Sequence, residues 1–132
     1  MLKIIPDIQV MCVIAKNGAV GAKEAFDELE SKLSTLKKRR FFGVLSGKLD
    51  SGEYRACVEI TDLDNPKSVE LDSWTIPGGK YEQRKLWDWE SKLDQIGKVT
   101  EQIIKEHGID SARPTIEYYR SMKELRILIP IK

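Results

Sequence analysis

Two stretches of this 132-residue chain carry the apolar period of an amphipathic helix, and each is followed by two β-type segments. The first spans Ala22 to about Leu36. There Ala22, Phe26, Leu29, Leu33 and Leu36 recur at steps of four, three, four and three, forming one stripe. The second follows Ser91, with Leu93, Ile96, Val99 and Ile103 inward, and His107-Gly108 ends it. Elsewhere the period is two. Ile8–Ala15 is an apolar run closed by Asn17-Gly18, Phe41–Ser46 is a strand, and Gly47–Gly52 is a loop. Tyr54–Ile60 sets Tyr54, Ala56, Val58 and Ile60 against Arg55, Cys57 and Glu59, the pattern of a half-buried strand. After the turn Asp62–Lys67, Val69–Ile76 is a further strand, broken at Pro77-Gly78-Gly79 and continued over Lys80–Trp89. Two last β-type segments are Arg113–Arg120 and Glu124–Ile131. Pro130 cannot donate to a ladder, so it marks an edge or an end.

Both halves therefore read β-α-β-β, and their last strands look alike: Tyr-Arg-Ala-Cys-Val-Glu-Ile against Leu-Arg-Ile-Leu-Ile-Pro-Ile. The expected fold is α+β: one domain over residues 1–132, with pseudo-repeats of about 1–66 and 67–132. Two such halves joined edge to edge make a curved, mostly antiparallel sheet with both helices on one face. A ligand groove between the halves is expected on the other face. Smaller signals refine this picture. Lys37-Lys38-Arg39-Arg40 suits the negative end of the first helix dipole. Ser91 and Asp94 have capping-box spacing, with Asp in place of Glu or Gln. Gly97 costs the second helix about 1 kcal/mol relative to Ala, so packing must hold that helix.

Charge is balanced, with 22 basic and 21 acidic residues and a net charge of +1. A binder of nucleic acid or of anionic membranes needs a concentrated basic field, so neither partner is expected. No signal peptide and no membrane-spanning run is visible. Cys12 and Cys57, each in an apolar strand, read as buried thiols, which fits a cytoplasmic location. Common catalytic and metal motifs fail. His107 is the only histidine and stands at a helix end. Asp62–Lys67 carries Lys67 where a calcium loop requires glycine. Neither cysteine has an activating neighbour in sequence. No metal or other cofactor is expected.

The remaining candidates are aromatic and acidic. On an extended strand, Thr115, Glu117 and Tyr119 share one face, and Ile116, Tyr118 and Arg120 share the other. An acid beside a phenol is unusual in such a strand. Tyr54, Trp74, Tyr81, Trp87, Trp89, Tyr118 and Tyr119 are numerous for this length. By residue type alone they suit a core as readily as an aromatic cage, and Glu117 suits a solvated strand face as readily as a pocket. As a cage they would surround a flat or cationic ligand, and a carboxylate there would supply the opposing charge.

Ile76-Pro77-Gly78-Gly79-Lys80-Tyr81, Arg113-Pro114-Thr115-Ile116-Glu117-Tyr118-Tyr119 and Glu124–Ile131, together with Tyr54-Arg55-Ala56-Cys57-Val58, occur here in order. This ordered set resembles the gyrase-inhibitor-like (GyrI-like) small-molecule-binding domains, which also form effector-binding halves of multidrug-responsive regulators. The resemblance spans nearly the whole chain. It implies the duplicated βαββ fold and a pocket between the halves in which an acid in the Glu-x-Tyr context meets cationic, aromatic ligands. Glu117 matches that acid. No residues remain for the helix-turn-helix module of the regulators, so a stand-alone module is expected.

The expected function is binding of amphipathic, aromatic or cationic small molecules by Glu117, Tyr119, Tyr54, Trp74, Tyr81 and Trp87. One alternative is hydrolysis of cyclopropane-type electrophiles, with Glu117 as the candidate catalytic base and a tyrosine as proton donor. A second is a gyrase-inhibitor-like protein-interaction module, which the balanced charge does not favour. The role of Trp87-Asp88-Trp89 stays open at this level.

Overall fold

The computed structural model describes residues 1–47 and 52–132. Positions 48–51 of the loop expected at Gly47–Gly52 lie outside the described residues. Eight strands, β1 (Leu2–Ile5), β2 (Ile8–Ile14), β3 (Phe41–Ser46), β4 (Glu53–Glu59), β5 (Asp72–Ile76), β6 (Gly79–Trp87), β7 (Thr115–Tyr119) and β8 (Glu124–Pro130), form one sheet. Its spatial order is β1-β6-β8-β7-β3-β4-β2-β5, and every pairing is antiparallel. Helices α1 (Ala22–Ser31) and α2 (Leu93–His107) complete the fold. The α+β class and the curved antiparallel sheet match the sequence expectation.

The same order recurs in each half. β2-α1-β3-β4 places β4 between β2 and β3, and β6-α2-β7-β8 places β8 between β6 and β7. The halves meet along β3 and β7, where Gly43 faces Glu117. Two outer strands were not separated in sequence. β1 arises from the apolar start Leu-Lys-Ile-Ile, and Val69–Trp89 is two strands, β5 and β6, with only Asp72–Ile76 of its first part extended. β1 leads into β2 but pairs with β6, and β5 leads into β6 but pairs with β2.

This exchange bends the sheet. Pro6-Asp7 and Pro77-Gly78 are all that joins strands at opposite edges, so the edges must come together. The two linkers touch. A Cβ on Gly78 would lie 2.5 Å from the Ile5 carbonyl oxygen, and the Gly78 N–H donates to Asp7 Oδ1 at 2.7 Å. Only a residue without a side chain fits that crossing.

Strand alternation then sorts the core. Met11, Tyr54, Ala56 and Val58 bury Ala25 and Leu29 of α1, and Leu86, Leu125, Ile127 and Ile129 bury Ile103 of α2. Both helices thus lie on one face, each over its own half. The other face carries no helix. Ile8, Phe42, Cys57, Tyr81, Ile116 and Leu128, from six different strands, meet there in one cluster, so this face is the concave one. Cys12 and Cys57, opposite each other in the β2·β4 register, are buried free thiols.

Several local expectations are corrected. α1 stops at Ser31, not near Leu36. Ser31 Oγ bonds the Glu28 carbonyl at 2.6 Å, and the Lys32 and Leu33 N–H groups tighten to residues three back. Leu36 is exposed. The basic cluster is therefore not a helix-end cap. Arg39 makes a bidentate pair with Asp64 at 2.6 and 2.8 Å and draws its carboxyl down to about 2, while Arg40 pairs with Glu59. Ser91 and Asp94 form no capping box. α2 starts at Leu93, which is exposed and not inward, and Ser91 Oγ bonds the Asp88 carbonyl. Pro130 closes β8, an interior strand and not an edge. Gly108 takes the positive φ (76°) past α2.

Gly97 is exposed on α2, and an added Cβ meets nothing within 4 Å. Gly97→Ala is therefore expected to stabilise the protein by about 0.5–1 kcal/mol, read as a higher urea midpoint with an unchanged slope.

Candidate binding site

Glu117 occupies the middle of β7, between Gly43 of β3 and Ile127 of β8. Alternation turns Thr115, Glu117 and Tyr119 to the face that Ile127 and Leu125 share with α2. The acid therefore lies on the helix-bearing face. The expectation of a groove for it on the opposite face is corrected by this register. α1 covers one half and α2 the other, and Glu117 stands at the seam between them.

Tyr54 Oη donates to Glu117 Oε1 at 2.9 Å, and Tyr119 Oη donates to the same oxygen at 2.7 Å. Tyr54 comes from β4, one strand beyond β3, and reaches the acid across Gly43. A Cβ at Gly43 would lie 1.9 Å from Tyr54 Oη and 2.9 Å from Glu117 Oε1. The glycine is thus the space in which the two side chains meet. Two further rings wall the cluster. Phe26 of α1 lies edge-on to Tyr119 at 5.3 Å and to Tyr54 at 6.4 Å. Trp89, in the turn before α2, lies edge-on to Tyr119 at 5.0 Å and donates its Nε1–H to the Ser121 carbonyl at 3.0 Å.

The electrostatics are one-sided. Glu117 has no ion-pair partner among the described residues. Its carboxyl is surrounded by protein, yet the residue as a whole is only half-buried. Burial raises its pKa above the ordinary carboxylate value, and the hydrogen bonds from Tyr119 and Tyr54 offset only part of that rise. Burial, followed by the Glu117 charge, also raises both phenols, so they remain protonated donors. The arrangement is an oxygen acceptor in an aromatic frame, desolvated by burial and without a positive charge beside it among the described residues.

The sequence candidates thus divide. Glu117, Tyr54 and Tyr119 come together. Trp74, Tyr81 and Trp87 all project from the concave face, away from them, because each falls on the opposite strand parity. Trp74 stacks under the Arg55 guanidinium at 4.5 Å and lines a separate cavity of about 390 Å³. Tyr81 is fully buried, donates to the Pro77 carbonyl at 2.6 Å and packs against Arg113. Trp87 is 55% exposed at the end of β6. One residue later the left-handed Asp88 (φ 55°) turns the chain, and that turn brings Trp89 to the helix side. Phe26 was concealed as a member of the α1 stripe. Gly43 left a signal, a glycine inside the apolar strand Phe-Phe-Gly-Val-Leu. Among the described residues no group of His, Cys, Asp and Glu could hold a metal, and no helix is long and apolar enough to cross a membrane.

Solved structures share this fold over the whole chain. An integron cassette protein from the mobile metagenome of Vibrio cholerae matches with a TM-score of 0.74 at 17% identity, over 100% of this chain and 95% of its own. The C-terminal domain of EcmrR matches at 0.70 with 12% identity, over 100% and 96%. SAV2435, solved bound to tetraphenylphosphonium, matches at 0.69 with 14% identity, over 100% and 93%. No protein-family model matches the sequence, and none of the curated proteins matches it.

Gly43→Ala forces a methyl into the space shared by Tyr54 and Glu117. A loss of about 1–3 kcal/mol is expected in urea unfolding, the opposite sign from the same change at Gly97.

Proposed function

We propose that this protein binds small cationic aromatic molecules at the seam between the α1 and α2 halves, with Glu117 as their counter-charge. One observation carries the reading: a desolvated carboxylate, held by two tyrosine hydroxyls, has no cation to balance it among the described residues. Leaving such a charge unpaired costs free energy, and a bound cation removes that cost. Phe26, Trp89, Tyr119 and Tyr54 supply the faces and edges that a flat cation needs, at about 0.5–2 kcal/mol per cation–π contact. SAV2435, of the same fold, was solved with a phosphonium cation, which is consistent with this chemistry. The reading treats residues 1–66 and 67–132 as repeats of one unit, each ββαββ, with the site on their seam.

Tetraphenylphosphonium is the probe. Titration should quench tryptophan fluorescence, and Trp89→Phe should remove most of the change. Glu117→Gln keeps an acceptor for both tyrosines but loses the charge, so binding should weaken at least about tenfold, or about 1.4 kcal/mol. Absence of binding, or equal affinity in the variant, would sink the proposal.

The pH dependence has a fixed sign. The raised folded-state pKa of Glu117 means that the folded protein holds the proton more tightly than the unfolded chain. Its contribution to stability is therefore present below the unfolded value and falls as pH rises through the folded value. Glu117→Gln should accordingly melt at or above the wild-type temperature at pH 7–8, with the advantage closing toward pH 4. Ligand affinity of the wild type should rise over the same interval as the carboxylate ionises.

A second reading follows from the same shift. A carboxyl whose pKa burial raises, with phenolic O–H groups beside it, has the makings of a general base for water. Incubation with a cyclopropane-containing electrophile and mass spectrometry for the ring-opened hydrate tests it. No turnover over the uncatalysed rate would leave binding alone.

A further inference from the structure

The concave face holds a groove that the Glu117 site does not use. It has a volume of about 210 Å³ and runs between β1, β6, β8, β7 and β3. Its floor is apolar, formed by Ile5, Ile8, Ile116 and Leu128. One wall is aromatic. Phe42 and Tyr118 stack at 4.9 Å with an interplanar angle of 25°, in register across β3 and β7. The rim is cationic. Arg40 Cζ lies 5.6 Å from the Phe42 ring and 5.9 Å from the Tyr118 ring, and Arg126 Cζ lies 5.9 Å from Tyr118. Lys3 completes the rim.

The charges on this rim are not fully answered. Arg40 gives its Nε and one Nη to Glu59, and Arg126 gives its Nε to Glu124 at 2.5 Å, so among the described residues both keep N–H donors without a partner. Lys3 has no ion-pair partner among the described residues. Gln83 is the sharper observation. It is only 6% exposed, and its side-chain amide bonds to none of the described residues. No fully enclosed polar side-chain atom lacks a partner among the described residues, so the remaining surface of that amide opens into the groove it lines. An amide whose open surface is confined to a groove is met only by what enters that groove, water or the polar end of a ligand.

We propose that this groove is a second binding site, for a small aromatic anion such as an aryl carboxylate or sulfonate. The oxygens accept from Lys3, the free Arg N–H groups and the Gln83 amide, and the ring lies against Phe42 and Tyr118. Arg40 and Arg126 are paired with Glu59 and Glu124, so it is Lys3, without an ion-pair partner among the described residues, that tips the rim toward an anion. The volume lies below the roughly 300–1,000 Å³ of drug-sized pockets, which limits the body to one or two rings. The proposal is independent of the reading of Glu117.

The test is a titration of ¹⁵N-labelled protein with 2-naphthoate. Saturable shifts are expected at the amides of Gln83, Ile116, Tyr118 and Leu128, and the neutral 2-naphthol should bind at least about tenfold more weakly. Lys3→Glu and Gln83→Leu should each weaken naphthoate about tenfold while keeping a dispersed, folded spectrum. Tetraphenylphosphonium at saturation should leave the naphthoate shifts in place. Shifts that do not saturate, shifts centred on Phe26 and Trp89, or wild-type affinity in Lys3→Glu would each overturn the proposal.

Discussion

The contact on which the molecule turns is the β3·β7 pairing, where the backbone of Gly43 faces that of Glu117. Among the described residues it is the one ladder that joins the two halves through their helix-bearing units. It also runs under the gap that the two helices leave uncovered. Any side chain at position 43 would fill that gap from below. With none there, Tyr54 crosses from the first half and Tyr119 rises from the second, and both donate to one oxygen of the same carboxylate. The element that holds the halves together is thus also the element that carries their shared polar cluster.

The two faces of the sheet are divided by function as well as by packing. The helix-bearing face splits into two apolar cores, and the seam between them is acidic and aromatic. The concave face has one continuous core and a cationic, aromatic rim. A sheet of single thickness separates the Glu117 carboxyl from the Lys3, Arg40 and Arg126 side chains of the opposite rim. Glu117 and Tyr118 are sequence neighbours that face opposite sides of that layer, so one short strand serves both surfaces.

Strand periodicity made much of this readable in advance. The alternation grouped Glu117 with Tyr119, and Tyr54 with Ala56 and Val58, on common strand faces, and two helical stripes set the class. Face assignment failed where it depended on knowing which side the helices cover, because a stripe on a helix does not say which strand parity it meets. Trp74, Tyr81 and Trp87 were grouped with Glu117 on residue type, and parity alone sends them to the other side. Trp89 differs from Trp87 only through a left-handed residue at Asp88, a backbone state that sequence marks weakly when the residue is not glycine. β1 was missed because four residues carry too little periodicity. Its pairing with β6 is a tertiary fact, as is the early end of α1, where Leu33 still packs without helical geometry.

The crossing of Pro6-Asp7 over Pro77-Gly78 has a kinetic consequence. β3 and β4 are neighbours in sequence and can pair early. β1 can be placed only when β6 is present, and β5 only against β2, so the edges are closed by contacts between residues as distant as Leu2 and Glu82. Such non-local closure raises contact order and slows folding. It also locks each edge strand behind the other linker, so neither end of the sheet can peel away without opening the crossing. The concave groove, roofed at one side by β1, therefore owes its shape to the last contacts the chain makes.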